Sequence, residues 1–229
     1  MVKKIVLVLL IAAVAAGSVF AVEMSAGLGG TFRGNFQTFS LTQDGKDALK
    51  ASGFDEDIYN TNRIGAGFFA FFDATYVMVS LGYGSVDISS ANTDLKKAQD
   101  DLKLKNTFST FDIGILGKYP IDLGGFTLFP AVGLSFRIPL DFVRSVDGDT
   151  ESWSDRTDDD ITEWMSETWI KFGVGADFSL GEKLYLRPMF LYGIGTLNKG
   201  TQEVQDEMKD YFTIINHGFD FSLAIGFKF

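Results

Sequence analysis

The closing segment, His217 to Phe229, sets Phe219, Phe221, Leu223, Ile225, Phe227 and Phe229 on one alternating face. Gly218, Asp220, Ser222, Ala224, Gly226 and Lys228 fall on the other. A strand has period two, so one surface is wholly apolar and the opposite one small or charged. The alternation recurs in eight segments, about 23–36, 61–72, 75–85, 107–119, 126–138, 168–180, 184–195 and 214–229. None of them places Asp, Glu, Lys or Arg on its apolar face. A charge there would cost about 2–4 kcal/mol at a bilayer midplane. An open sheet cannot cross a membrane, because its edge N–H and C=O groups would lie unpaired in hydrocarbon. The predicted fold class is therefore all-β, an eight-stranded antiparallel up-and-down transmembrane barrel.

The connections alternate. Those at Asp73-Ala74, 120–125 and 181–183 are short, and those at 37–60, 86–106, 139–167 and 196–213 are long and polar. That spacing predicts tight periplasmic turns, long external loops and both termini on the periplasmic side. Residues 91–105 and 201–211 favour helix and predict short helical caps on two loops. Outer aromatics near strand ends (Phe32, Phe72, Tyr119, Phe126, Tyr192, Phe219, Phe229) predict interfacial girdles. Pro130 and Pro188 each remove a ladder donor and predict local distortion of the fifth and seventh strands. The alternative is a soluble calyx that buries the apolar face. A charged face rich in glycine, the absence of cysteine and the aromatic C-terminus argue against it.

Lys3 and Lys4, the apolar run Ile5 to Ala16 and the small-residue site ending at Ala21 predict a cleaved signal peptide over residues 1–21. Residues 22–229 then form the barrel domain. The alternative, a single membrane anchor, would need about 20 spanning residues. Without cysteine there are no disulfides and no lipid-bearing cysteine, and the net charge of −10 argues against a nucleic-acid partner.

The last strand carries Ser222, then Phe227 and Phe229 as alternating terminal aromatics, with Ala224 where glycine is usual. In this it resembles the assembly signal of bacterial outer-membrane barrels. With the signal peptide and the loop alternation, the chain looks like the small eight-stranded OmpA-barrel, OmpX and OmpW group. The resemblance covers residues 22–229 as architecture and only the final eight residues as motif. It implies export, insertion by the barrel assembly machinery and residence in outer-membrane lipid. It carries no function, because this superfold hosts pores, adhesins and enzymes alike.

Catalysis finds little purchase. The one histidine, His217, has Ile215 where an omptin-like pair would need aspartate, and Phe219 where a deacylase-like pattern would need serine. No catalytic residue, cofactor or metal is predicted. The lumen is charged: Arg33, Arg63, Arg137 and Lys171 collect with Asp112 and Asp220 toward the external end. Lys118, Asp177, Arg187 and Lys228 collect toward the periplasmic end. Eight-stranded barrels are just wide enough for side chains to fill, which predicts ion-pair networks across the lumen. Seven bases against three acids leave an excess that needs water, an anion or acids from a loop. The loop over 147–167 offers Asp158, Asp159 and Asp160 near Trp153, Trp164 and Trp169, without the spacing of a calcium loop. We expect part of it to fold inward over the basic upper lumen.

The sequence-level expectation is a monomeric, porin-like or OmpW-like protein passing small solutes through a charged lumen. The alternative is a non-conducting structural or surface-interaction barrel whose external loops bind a partner.

Overall fold

The computed structural model describes residues 23–53, 60–152 and 161–229. The proposed signal peptide with Ala21, and the Asp158 to Asp160 run, lie outside the described residues. Ten strands form one sheet: β1 (Met24–Leu41), β2 (Thr61–Ala74), β3 (Val77–Ser90), β4 (Lys105–Lys118), β5 (Ile121–Asp122), β6 (Phe126–Val146), β7 (Asp149–Ser152), β8 (Glu167–Ser179), β9 (Leu184–Gly195) and β10 (Phe212–Lys228). Among the described residues, helices α1 (Gln43–Ser52), α2 (Thr93–Asp101), α3 (Ile161–Met165) and α4 (Lys199–Glu207) sit in the long connections. Two of these, α2 and α4, fall where helix-favouring composition placed them.

Eight of the strands close a ring in the order β1-β2-β3-β4-β6-β8-β9-β10, with β10 returning to β1. Every neighbour is antiparallel, and the closing seam runs from Ser25 opposite Lys228 to Leu41 opposite Phe212. Closure removes both sheet edges, as the hydrocarbon core requires. The turn end holds both β1's start and β10's end; the loop end holds the helices.

The outward face is the expected apolar one. Leu28 is 70% exposed, Phe68 65% and Val174 51%, although all are large hydrophobics. Aromatic pairs border this band. Near the turn end stand Phe72–Phe229 (6.3 Å), Tyr76–Tyr119 (6.5 Å) and Phe126–Phe178 (5.1 Å). Near the loop end stand Phe32–Phe219 (6.2 Å), Phe36–His217 (5.6 Å) and Phe172–Tyr192 (5.5 Å). From Phe229 to His217 along a strand tilted as barrel strands are, the rise is about 30 Å, one hydrocarbon thickness. Past the loop-end girdle the outward residues turn polar: Thr38, Ser40, Asp87, Thr107, Asp141 and Thr213. Val174→Arg, in mid-band, is expected to cost about 2–4 kcal/mol. Thr213→Arg, above the band, should stay within about 0.5 kcal/mol. Urea midpoints of the two variants in lipid vesicles check the difference.

The strands outrun the expected bounds at the loop end. β1 continues to Leu41, and β6 runs to Val146, where it turns through Asp147 and Gly148 into β7. Both turn residues have positive φ (51° and 100°), the geometry of a two-residue Asp-Gly hairpin. The start of the acidic loop is thus ordered sheet. Hydropathy marked the lipid band, whereas backbone pairing continues wherever the register holds.

The prolines divide. Pairing runs unbroken past Pro130, opposite Val174. Between β8 and β9 the ladder is interrupted at Ala176, opposite Pro188, and Asp177, opposite Arg187, and resumes in the same register. The register shift in the ring lies elsewhere, at Ser109/Thr110, where β6 carries Leu140 as the extra residue between Pro139 and Asp141.

Candidate functional site: a lumen closed by two layers of ion pairs

Inward positions divide the lumen into layers. Nearest the turn end, Asp73 on β2 and Asp177 on β8 flank Arg187 on β9. Arg187 donates through Nε and Nη2 to Asp177 at 2.6 and 2.7 Å, and its Nη1 lies 2.5 Å from Asp73 Oδ2. Lys118 Nζ on β4 is 2.9 Å from the same Asp73 oxygen. The Arg187 guanidinium also lies 4.9 Å from the Phe71 and Tyr185 ring centroids and 5.1 Å from Phe129. Tyr185 and Ser25 share a hydroxyl hydrogen bond of 2.7 Å.

Above this layer lies an apolar plug of Phe71, Met78, Leu116, Phe129, Ala131 and Met189. Glycines make room for it. A Cβ on Gly175 would come within 2.4 Å of the Phe129 ring, and one on Gly226 within 2.1 Å of Tyr185. These are close approaches that no side chain could share. Arg187, Tyr185 and Phe129 are each 1% exposed and Met78 2%, so this level is closely packed across the lumen. On the turn side a vestibule of about 340 Å³ ends at Arg187 and Asp73.

Toward the loop end a second ionic layer spans the lumen. Asp112 on β4 receives Arg33 Nη2 at 2.8 Å and Arg137 Nε at 3.2 Å. Glu167, the first residue of β8, receives Arg63 Nη1 at 2.6 Å, Trp169 Nε1 at 3.0 Å and Arg137 Nη1 at 3.3 Å. Lys171 pairs with Asp220. Trp169 is 1% exposed, lies against Gly193 and Gly195, and has the Arg137 guanidinium 4.9 Å above its ring. Between this layer and the plug remains a cavity of about 70 Å³, lined by Thr31, Ser80, Ser135, Ser222 and the charged Arg33, Asp112, Lys171 and Asp220.

Nine of the ten lumen charges named from sequence therefore meet in these two layers. Lys228 does not: it stands at the turn-end rim with its side chain 41% exposed, 3.6 Å from Glu23. As β10's last residue it lies beyond the narrow part of the barrel. Two acids lie outside the expected strands: Asp73, expected in a turn, and Glu167, expected in the acidic loop, both continuing the inward parity of β2 and β8 beside Trp169, which falls within the expected strand. Extending the alternation one step past each apolar run would have found them. Glu167 also reduces the shortage of acids, being a carboxylate from the loop-side end of a strand. In the terminal motif, Ser222 points into the cavity, while Phe227 and Phe229 sit on the outer face, Phe229 against Phe72. His217 faces outward at the loop-end girdle, its Nδ1 3.1 Å from Tyr192 Oη.

No family model matches the chain, and no curated protein matches it in sequence. Among solved structures it is similar to Neisserial surface protein A, with 10% identity over 90% of this chain and 99% of that one and a TM-score of 0.46. It is similar to Ail, the attachment invasion locus protein of Yersinia pestis, with 13% identity, coverage of 92% and 100%, and a TM-score of 0.41. It is also similar to the outer membrane protease OmpT of Escherichia coli, with 8% identity, coverage of 93% and 100%, and a TM-score of 0.40. Likenesses at this level transfer neither activity nor partner. The closed ring, the girdled apolar band and the charged lumen are this chain's own, and they make it an eight-stranded β-barrel of the outer-membrane type.

Proposed function

We propose that this protein is a non-conducting barrel of the bacterial outer membrane that works through its external surface. The observation that carries this reading is the cross-section at Arg187: a bidentate ion pair with Asp177, a second with Asp73, and three aromatic rings around the same guanidinium. A small solute would have to separate buried charges that bind one another in a site with little water, at a cost of several kcal/mol. Solute passage, the leading expectation from sequence, is the less supported reading.

The external end is where the chain spends its remaining length. β1, β6 and β10 rise above the loop-end girdle, β6 and β7 form a projecting hairpin, and helices stand in the connections. Most of the chain's acidic excess lies in these segments. Their composition favours a positively charged partner surface. The signal-peptide pattern and terminal aromatics support export and insertion by the barrel assembly machinery, with the monomer as the acting unit.

The test compares cells displaying the intact barrel with cells whose four long connections are replaced by short turns. Intact cells are expected to bind an immobilised basic polypeptide in a salt-sensitive manner, and trimmed cells to lose that binding while the barrel remains folded. Equal binding by both would overturn the reading.

A further inference from the structure

The loop-end ionic layer does not balance. Arg33, Arg63, Arg137 and Lys171 are each at most 9% exposed, and against these four cations stand three carboxylates, Asp112, Glu167 and Asp220. One positive charge is left over in a space sealed below by the plug. The hydrogen bonds are short by the same measure. Arg33 Nε, Arg63 Nε, Arg137 Nη2 and Asn35 Nδ2 are buried donors with no acceptor among the described residues. The other nitrogens of two of these arginines are engaged: Arg33 gives Nη1 to Thr110 and Nη2 to Asp112, and Arg137 gives Nε to Asp112 and Nη1 to Glu167. A buried cation without a partner is strongly unfavourable, and so is a buried donor left unmade.

We propose that this layer binds one small monovalent anion of halide size, held by the arginine edges turned away from Asp112 and Glu167. Water alone would satisfy the donors but leave the charge. Asn216 Oδ1, a buried acceptor of this layer with no donor among the described residues, is the place for an accompanying water. The cavity beneath, lined by Arg33 and Lys171, holds about 70 Å³. A single water needs only about 10–15 Å³ of such space, so a halide and a water both fit, and the single surplus charge calls for a monovalent ion. Asp112 and Asp220 also line the cavity, and their engagement by Arg33, Arg137 and Lys171 makes an anion tolerable beside them. The anion completes the upper seal and links the barrel's stability to halide concentration.

The experiment melts the refolded barrel in detergent in sodium chloride, sodium bromide and sodium gluconate at one ionic strength, and collects anomalous diffraction from crystals grown in bromide. The expected result is a saturable rise in Tm with either halide over gluconate, and a bromide peak touching Arg33, Arg63 or Arg137. Arg33→Gln, which removes the surplus charge, should abolish the halide-dependent part of the rise. Because Arg33→Gln could fail to fold, the bromide peak in the wild-type protein stands as an independent arm. Equal melting in all three salts with no peak in the layer would overturn the proposal. So would a halide effect retained in Arg33→Gln. A wild-type barrel indifferent to halide but destabilised by D158N/D159N/D160N would assign the missing acceptor to the loop carboxylates and refute the anion.

Discussion

Arg187→Ala is expected to destabilise the barrel by about 3–5 kcal/mol, because it leaves buried carboxylates without their cation. Asp177 loses both of its hydrogen bonds from Arg187, and Asp73 keeps only Lys118. Three aromatic rings lose the guanidinium that fills the space between them. The same physics predicts a rescue. Arg187→Met restores volume but not charge, and adding Asp177→Asn removes the carboxylate most dependent on Arg187. The double variant should recover a large part of the loss, since replacing a whole buried pair is far cheaper than breaking one. Urea unfolding in vesicles reads both, as shifts in midpoint at unchanged slope. If Arg187→Ala unfolds like the wild type, the turn-end layer does not hold the barrel as described.

Glu167→Gln should have an effect of the same order, about 3–5 kcal/mol, at the other layer. This carboxylate is fully enclosed and neutralises Arg63 and Arg137 together while accepting from Trp169. The amide keeps its shape, so the loss is one of charge rather than packing. Asp112 still holds Arg137, but Arg63 is left without a carboxylate. The sign of its coupling to salt is also fixed. Removing an acid raises the surplus of buried positive charge from one to two, so the variant should depend more steeply on halide than the wild type does. A variant with shallower dependence would set Glu167 apart from the anion layer.

Period-two alternation was enough to find the ring, its parity and its strand count, because a lipid-facing surface admits no charge and closure admits no free edge. It was not enough to place the strand ends. Hydrocarbon ends at Phe36, His217 and Tyr192, and beyond it the outward face turns polar, so the pattern stops while the ladder continues to Leu41 and Val146. That same truncation hid Asp73 and Glu167, each one step outside an apolar run. The pairing within the lumen was illegible for another reason. Arg33 on β1 meets Asp112 on β4, Arg63 on β2 meets Glu167 on β8, and Asp73 on β2 meets Arg187 on β9. These partners are not sheet neighbours, and only the curvature of a narrow closed barrel brings them across its axis. The sequence identified which charges face inward; the radius of the ring determines which of them touch, and therefore that the lumen is shut.

Single-channel recording tests that closure most directly. Residues 22–229, refolded and inserted into planar bilayers, are expected to give no discrete openings at any applied voltage or salt concentration, with insertion established independently by protease protection of the barrel. Reproducible, ion-selective openings from the wild-type protein would contradict a lumen sealed by the Arg187 and Glu167 layers.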